Sequence, residues 1–276
     1  MRNANRKIAF VLASSDHGTM IVNRLDYRMV EPNKGYGVGY ELLEQSAFNP
    51  QEIDLALKIL ELRRQYFGGG VIAVDCGANI GVHTVEWAKK TTGWGAVLAF
   101  EAQERIYYAL AGNLALNNCF NAKVFHAAVG SKAGAIKIPS PNYLTPGSFG
   151  SLELKKADSN EFIGQPVDYS ETHLVTIPMM TIDSLNLSRI DLIKIDVEGM
   201  ELDVLEGASA SITRHKPALI VEFIKSDKVK LNDWLKRSDY HVFTAGLNFV
   251  AVHSSDPCLQ HFKPTDANAA QTDGGR

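Results

Sequence analysis

The sequence predicts an α/β protein built on an open, mostly parallel, doubly wound sheet. The stretch Val71–Gly81, VIAVDCGANIG, is a short apolar run closed by a glycine-rich turn and followed by a helical pattern. That is how a buried parallel strand feeding a helix reads. Strand and helix patterns then alternate β-α-β-α-β as far as residue 129, the rhythm of one half of such a sheet. Finally, four of the apolar runs end in an acid, at Asp75, Glu101, Asp196 and Glu222.

Each element follows from local pattern. Ile8–Ala13 and Met20–Leu25 flank the turn-rich Ser14–Gly18 and predict a hairpin. Gly35–Tyr40 reads as a loop or short strand with close backbone contacts. This extension, residues 1–48, is either an edge hairpin over the core or a lid whose Tyr36 and Tyr40 stack on a flat or sugar-like face. Asn49-Pro50-Gln51-Glu52 marks a helix start, with Asn49 as N-cap and Glu52 completing a capping-box-like pattern. That helix runs to Phe67 and stops at three glycines. Residues 49–262 form the main domain. Its strands are expected at 71–75, 96–101, 123–129, 191–197 and 218–223, with a closing hairpin from Tyr240 to Val252. Residues 130–180 break the rhythm and read as an insert, with ribbon strands at Ala135–Ile138 and Leu174–Met180 and with Gly147–Leu152 as a segment that drapes over the site. Residues 263–276 are polar and read as a disordered tail.

Composition narrows the class. In 276 residues, 45% hydrophobic and 21% charged, the chain carries a net charge of −3. That argues against nucleic acid or an anionic membrane as the main partner. Three cysteines without C-x-x-C spacing make neither a disulfide framework nor a zinc site. No run reaches membrane-spanning length, and Ile8–Ala13 is too short for a signal segment. A cytoplasmic protein is expected; the oligomeric state is not readable.

The chemistry concentrates at the strand tips, where the ligand crevice of an open parallel sheet lies. The loop glycines are spaced G-x-x-x-G, with Asn79 between them, and depart from the dinucleotide fingerprint G-x-G-x-x-G. Asp75 would repel a pyrophosphate but attract an ammonium or a sulfonium. S-adenosylmethionine fits that chemistry, with a nicotinamide cofactor as the rival reading. Glu101 is placed to bind ribose hydroxyls, as the second-strand acid does in dinucleotide folds. Asp196 and Glu198 point the same way if the strand continues and diverge if a turn begins between them. With Glu222 they form either an acid/base group or an all-oxygen metal site, and the acid/base role is favoured. His83, His126 and His173 are further acid/base candidates. Thr84, beside His83, caps the following helix or touches the cofactor carboxylate. Ser-His-Asp, H-E-x-x-H and P-loop patterns are absent, as is the N-P-P-[YF] tetrapeptide of amino-directed nucleic-acid methyltransferases.

DCGANIG at 75–81, FEAQ at 100–103, HAAVG at 126–130, TIDSL at 181–185 and IDLIKIDVEGMELDVLEGA at 190–208 together resemble the FkbM family of S-adenosylmethionine-dependent methyltransferases. The resemblance spans about 71–224. It implies a class I, Rossmann-like methyltransferase fold, with seven strands, helices on both faces and the last strand antiparallel. It also implies O-methylation of sugars or other natural products. Carried over by position, Asp75, Gly77, Ala78, Asn79 and Gly81 line the methionine side and Glu101 holds the ribose. Ala128 and Val129 then meet adenine, while Asp196 and Glu198 face the transferring methyl. Ala102 stands where the family commonly has proline, which loosens that loop. A scaffold that binds the cofactor without catalysis is the non-enzyme alternative, and the intact acid set speaks against it. Tyr36, Tyr40, Tyr143 and Phe149 offer stacking surfaces for a sugar acceptor.

Overall fold

A computed structural model of the chain describes residues 7–32 and 34–262; the tail expected at 263–276 lies outside the described residues. Strands β1 (Phe10–Ser15) and β2 (Gly18–Asn23) form the expected hairpin, and β3 (Arg28–Glu31) and β4 (Lys34–Tyr36) form a second ribbon. The chain continues through α1 (Val38–Gln45), α2 (Pro50–Phe67), β5 (Val71–Cys76), α3 (Val82–Thr91), β6 (Gly95–Glu101), α4 (Glu104–Leu116), β7 (Ala122–His126) and β8 (Ala128–Val129). The insert supplies β9 (Gly134–Pro139) and β10 (Leu174–Met180). The chain closes with β11 (Leu192–Ile195), α5 (Glu201–Gly207), α6 (Ser209–His215), β12 (Ala218–Glu222), α7 (Lys228–Arg237), β13 (Tyr240–Ala245) and β14 (Asn248–His253).

The main sheet has seven strands in the order β7-β6-β5-β11-β12-β14-β13, and β14 runs antiparallel to both its neighbours. This is the class I methyltransferase topology that the resemblance implies. Helices α2, α3 and α4 cover one face around Ile59, Leu60, Val85, Trp87 and Ile106. Helices α5, α6 and α7 cover the other around Val204, Leu205, Leu231 and Leu235. Strand residues alternate strictly between the two: Ala73, Leu192 and Ile220 face the first layer, and Val74, Ile193 and Leu219 the second. Among the described residues, no helix is long and apolar enough to cross a membrane.

Several local expectations differ from what is found. Of Gly35–Tyr40, expected as a loop or short strand, Gly35 and Tyr36 do lie in strand β4, whereas α1 begins at Val38. Glycine is required at positions 37 and 39: a Cβ there would lie 2.6 Å from Asp26 O and 2.3 Å from Asn23 O, respectively. Asn49 precedes α2 but makes no side-chain cap, since its backbone is left-handed, and Glu52 turns inward instead of completing a capping box. The strand expected over 123–129 divides. Ala127 N–H makes the last bond to β6, at Glu101 O, and β8 then leaves to pair in parallel with β10. The helix after β11 is interrupted at Ala208, beside Gly207, which packs on the Gly130 carbonyl, 2.1 Å from where a Cβ would stand.

The extension is bolted to the core by buried polar groups. The Asn113 amide, fully buried on α4, donates to Ile21 O at 3.2 Å and Ile80 O at 2.8 Å, joining β2 to the glycine loop. Asp26 accepts from Gly39 N–H at 3.0 Å and Phe149 N–H at 2.9 Å, so one carboxylate fixes both α1 and the insert. Burial pushes its carboxyl up to about 6.

Candidate active site

A cavity of about 310 Å³ opens over the carboxyl ends of β5, β6, β11 and β12. Its floor is the loop after β5. Gly77 and Ala78 donate to Phe100 O at 3.0 and 2.9 Å, folding the loop back on β6. Gly77 has φ +81°, and a Cβ there would stand 1.7 Å from Asp196 O, so only glycine lets the loop pass β11. Asn79, also at positive φ, donates its N–H to Glu101 at 3.0 Å. Gln103 N–H holds the other Glu101 oxygen at 2.7 Å. Burial pushes Glu101 up to about 7 against those two donors.

The alternation of the strands explains where the four tip acids fall. Asp75, Glu101 and Glu222 share parity with Ala73, Val97 and Ile220, so they project from the face that carries α2 and α3. Glu101, Asp196 and Glu222 line the cavity. Asp75 does not: it lies fully buried one layer below, where Thr84 donates to it at 2.6 Å. Its other oxygen, Oδ1, has no hydrogen-bond partner. Thr84 and Gly81 also lie beneath the cavity; Gly81 abuts Leu110, 2.4 Å from the position of a Cβ. Gly77, Ala78, Asn79, Ala128 and Val129 line it as expected.

Asp196, Glu198 and Glu222 converge, each offering an oxygen within 4.8 Å of the others. They do so although β11 ends at Ile195 and a turn begins at once, with Glu198 at φ 56° and Gly199 at φ 95°. The turn is fixed by buried Glu201, which accepts from Val197 N–H at 3.2 Å and Gly199 N–H at 3.1 Å. Two lysines face the acids. Lys194, 4% exposed, places Nζ 2.8 Å from Asp196 and 3.9 Å from Glu52. Lys225 places Nζ 2.6 Å from Glu198 and 3.1 Å from Glu161. Burial and the neighbouring Asp196 push Glu198 up to about 8. Burial, Asp196 and Glu198 push Glu222 up to about 9.

The insert roofs this arrangement. Ser148 and Gly150–Leu152 line the cavity, and Lys225 donates to Ser151 O. Tyr36 lines it too, its hydroxyl donating to Glu161 at 2.6 Å. Of the four aromatics expected to stack on an acceptor, only Tyr36 faces the cavity. Phe149 is fully buried, Tyr143 packs on it while donating to Gln103, and Tyr40 lies outside the lining. Phe48, not singled out by the sequence, does line it. His83 also lines it, with Nε2 3.2 Å from Glu52. His126 is held by Ala102 O and stacked on Tyr107, and His173 is exposed beside Asp168, so neither takes part. Sequence reasoning missed Lys194, Lys225, Glu52 and Glu201. Lys194 carries a legible signal, since a lysine inside an otherwise apolar strand is almost never buried without a partner.

The family described as "Methyltransferase FkbM domain" matches residues 75–242. Methyltransferase 1 of Beauveria bassiana (strain ARSEF 2860) is 28% identical over 144 residues, covering 49% of this chain and 57% of that protein. Methyltransferase sdnD of Sordaria araneosa is 32% identical over 154 residues, covering 49% of this chain and 59% of that protein. The chain therefore matches somewhat over half the length of these relatives. Among solved structures, a methyltransferase FkbM from Methylobacillus flagellatus KT matches with a TM-score of 0.45 and 21% identity, covering 70% of this chain and 48% of that one.

Proposed function

The chain belongs to the FkbM methyltransferase domain family, and on that premise we propose that it moves a methyl group from S-adenosylmethionine to a hydroxyl oxygen of a sugar, glycan or other natural product. One observation carries this reading. A single cavity joins Glu101, gripped by two backbone N–H groups, to the Asp196–Glu198–Glu222 group two strands away, about 10 Å at ordinary strand spacing. The residues present fit the cofactor. Glu101 keeps lone pairs free for a pair of ribose hydroxyls, and Phe100, Ala128 and Val129 give an apolar wall for a flat ring.

When bound, the cofactor supplies a methyl group made electrophilic by a positive sulfur. The protein's part is to hold the acceptor oxygen in line and to take its proton as charge builds. Asp196 is the leading base, oriented by Lys194. Glu198 and Glu222 hold protons at neutral pH; they donate hydrogen bonds to the acceptor there and become bases as pH rises. A metal is not part of the proposal, because Lys194 already supplies a cation to Asp196 and the raised Glu198 and Glu222 carboxyls hold protons in place of one.

Calorimetric titration with S-adenosylhomocysteine and with a nicotinamide dinucleotide, side by side, is the test. The expected result is binding of the first alone, weakened roughly 10–100-fold in Glu101→Gln by loss of charge-assisted hydrogen bonds. Labelled methyl donor with a panel of glycans then identifies the labelled oxygen. No affinity for S-adenosylhomocysteine overturns the reading.

A further inference from the structure

A second cavity, of about 470 Å³, lies between the start of α2 and the β13–β14 turn. It meets the first across Asp196 and Glu222, which line both. The first cavity therefore runs along the sheet from β6 to β12, and the second continues beyond β12 toward β14. Its size lies within the range of small-molecule sites. Its walls are built, not accidental: Glu52 is locked by Asn248, which donates to it at 2.9 Å, and by His83 at 3.2 Å.

The lining has an unusual charge balance. Among the described residues, Glu41, Glu52, Asp196 and Glu222 face it, and no lysine, arginine or histidine does. Lys194 lines the first cavity but not this one, reaching it only from behind, where its Nζ lies 2.8 Å from Asp196 and 3.9 Å from Glu52. Against its burial, the His83 and Asn248 hydrogen bonds and the Lys194 charge hold the Glu52 carboxyl at about 2, so it is charged throughout the working range. Asn248 and Gln51 add amide groups that bond hydroxyls in either sense, and Leu247 adds an apolar rim.

We infer that this second cavity receives the methyl acceptor and selects it by charge, admitting a polyhydroxylated compound that carries an ammonium group and excluding one that carries a phosphate or carboxylate. The inference rests on the methyl-transfer reading and deepens it. An ammonium placed here exchanges water for the Glu52 and Asp196 carboxylates already fixed by the fold and favours release of the Glu222 proton. An anion meets the same carboxylates in a confined, low-dielectric space and is repelled.

The test uses the full chain saturated with S-adenosylhomocysteine, whose binding is first established by calorimetry. Methyl glucosaminide and methyl glucuronide, matched in size and opposite in charge, are then titrated by saturation-transfer NMR. The glucosaminide is expected to bind at least about tenfold more tightly. Gln51→Lys places a cation on an exposed wall position and should narrow that ratio at least about threefold while leaving S-adenosylhomocysteine affinity unchanged. Absence of binding by either glycoside, equal or stronger binding of the glucuronide, or an unaltered ratio in Gln51→Lys overturns the inference. Failure of S-adenosylhomocysteine to bind would instead sink the methyl-transfer reading beneath it.

Discussion

The two ends of the central sheet bury acids in opposite ways. At the amino end, Asp191 precedes β11 and Asp256 follows β14, and both are almost inaccessible to solvent. Arg63 of α2 bonds Asp191 at 3.1 Å and also bonds Asp256; Arg189 and Ile72 N–H take the second Asp191 oxygen at 2.7 and 2.9 Å. At the carboxyl end, Glu101, Glu198 and Glu222 are raised well above the usual carboxylate range. Two lysines there serve a larger set of acids. The planar arginine fork satisfies a buried carboxylate completely. Acids left partly unsatisfied in a cavity mark a place where a ligand, not the fold, supplies the missing partner.

Removing the arginine should therefore do the most damage. Arg63→Ala leaves buried Asp256 without its cation and takes one of two arginines from Asp191, and breaking such a buried pair costs about 3–5 kcal/mol. A denaturant titration should show that loss; a change below about 1 kcal/mol would mean the two ends are not as different as their geometry says. The matching change at the other end should spare the fold and strike the chemistry. Asp196→Asn and Glu198→Gln are expected to lower turnover roughly 10²–10⁴-fold, the usual worth of a positioned acid or base, with midpoints within about 1 kcal/mol of wild type. Wild-type turnover in both variants would remove these residues from the mechanism.

How far the sequence foretold this contrast depends on what each signal encodes. Strands and their order were legible because burial on both faces leaves near-continuous apolar runs, and because loops as short as Gly77–Gly81 carry glycine where the backbone needs it. Glu101, Asp196 and Glu222 were legible as acids ending such runs. Asp75 was placed correctly on its strand but not in depth: Thr84, nine residues on, covers it from α3, and no local pattern records that. Partners remote in sequence were invisible. Glu161 meets Lys225 only because the insert folds back as a roof, and Glu52 reads as a capping residue until tertiary contact with His83 claims it. Helix α1 was hidden because Gly37 and Gly39 suggested a loop or short strand; the close backbone contacts read there are found, at Asn23 and Asp26.

A smaller effect sharpens the comparison further, through pH. Glu101, Glu198 and Glu222 stand at about 7, 8 and 9 in the folded protein, against an ordinary value of 4.5. Between pH 5 and 9 the native state thus holds protons that the unfolded chain has released. Stability must fall as pH rises through that window, and their contribution is whole only below the unfolded value. Glu52, held at about 2, has the opposite sign, but its loss comes on acidification below the ordinary value and outside the window. For the ligand-free protein, Tm is expected to fall between pH 6 and pH 9 by at least roughly 2–4 °C, the equivalent of about 1 kcal/mol in a domain of this size, since one group raised by a single pKa unit across the window already supplies about 1.4 kcal/mol. Glu222→Gln should flatten the alkaline part of that decline, since an amide has no proton to lose. A profile that stays level in the wild-type protein would mean the crevice acids are as fully partnered as Asp191, and the contrast between the two ends would fail at its physical root.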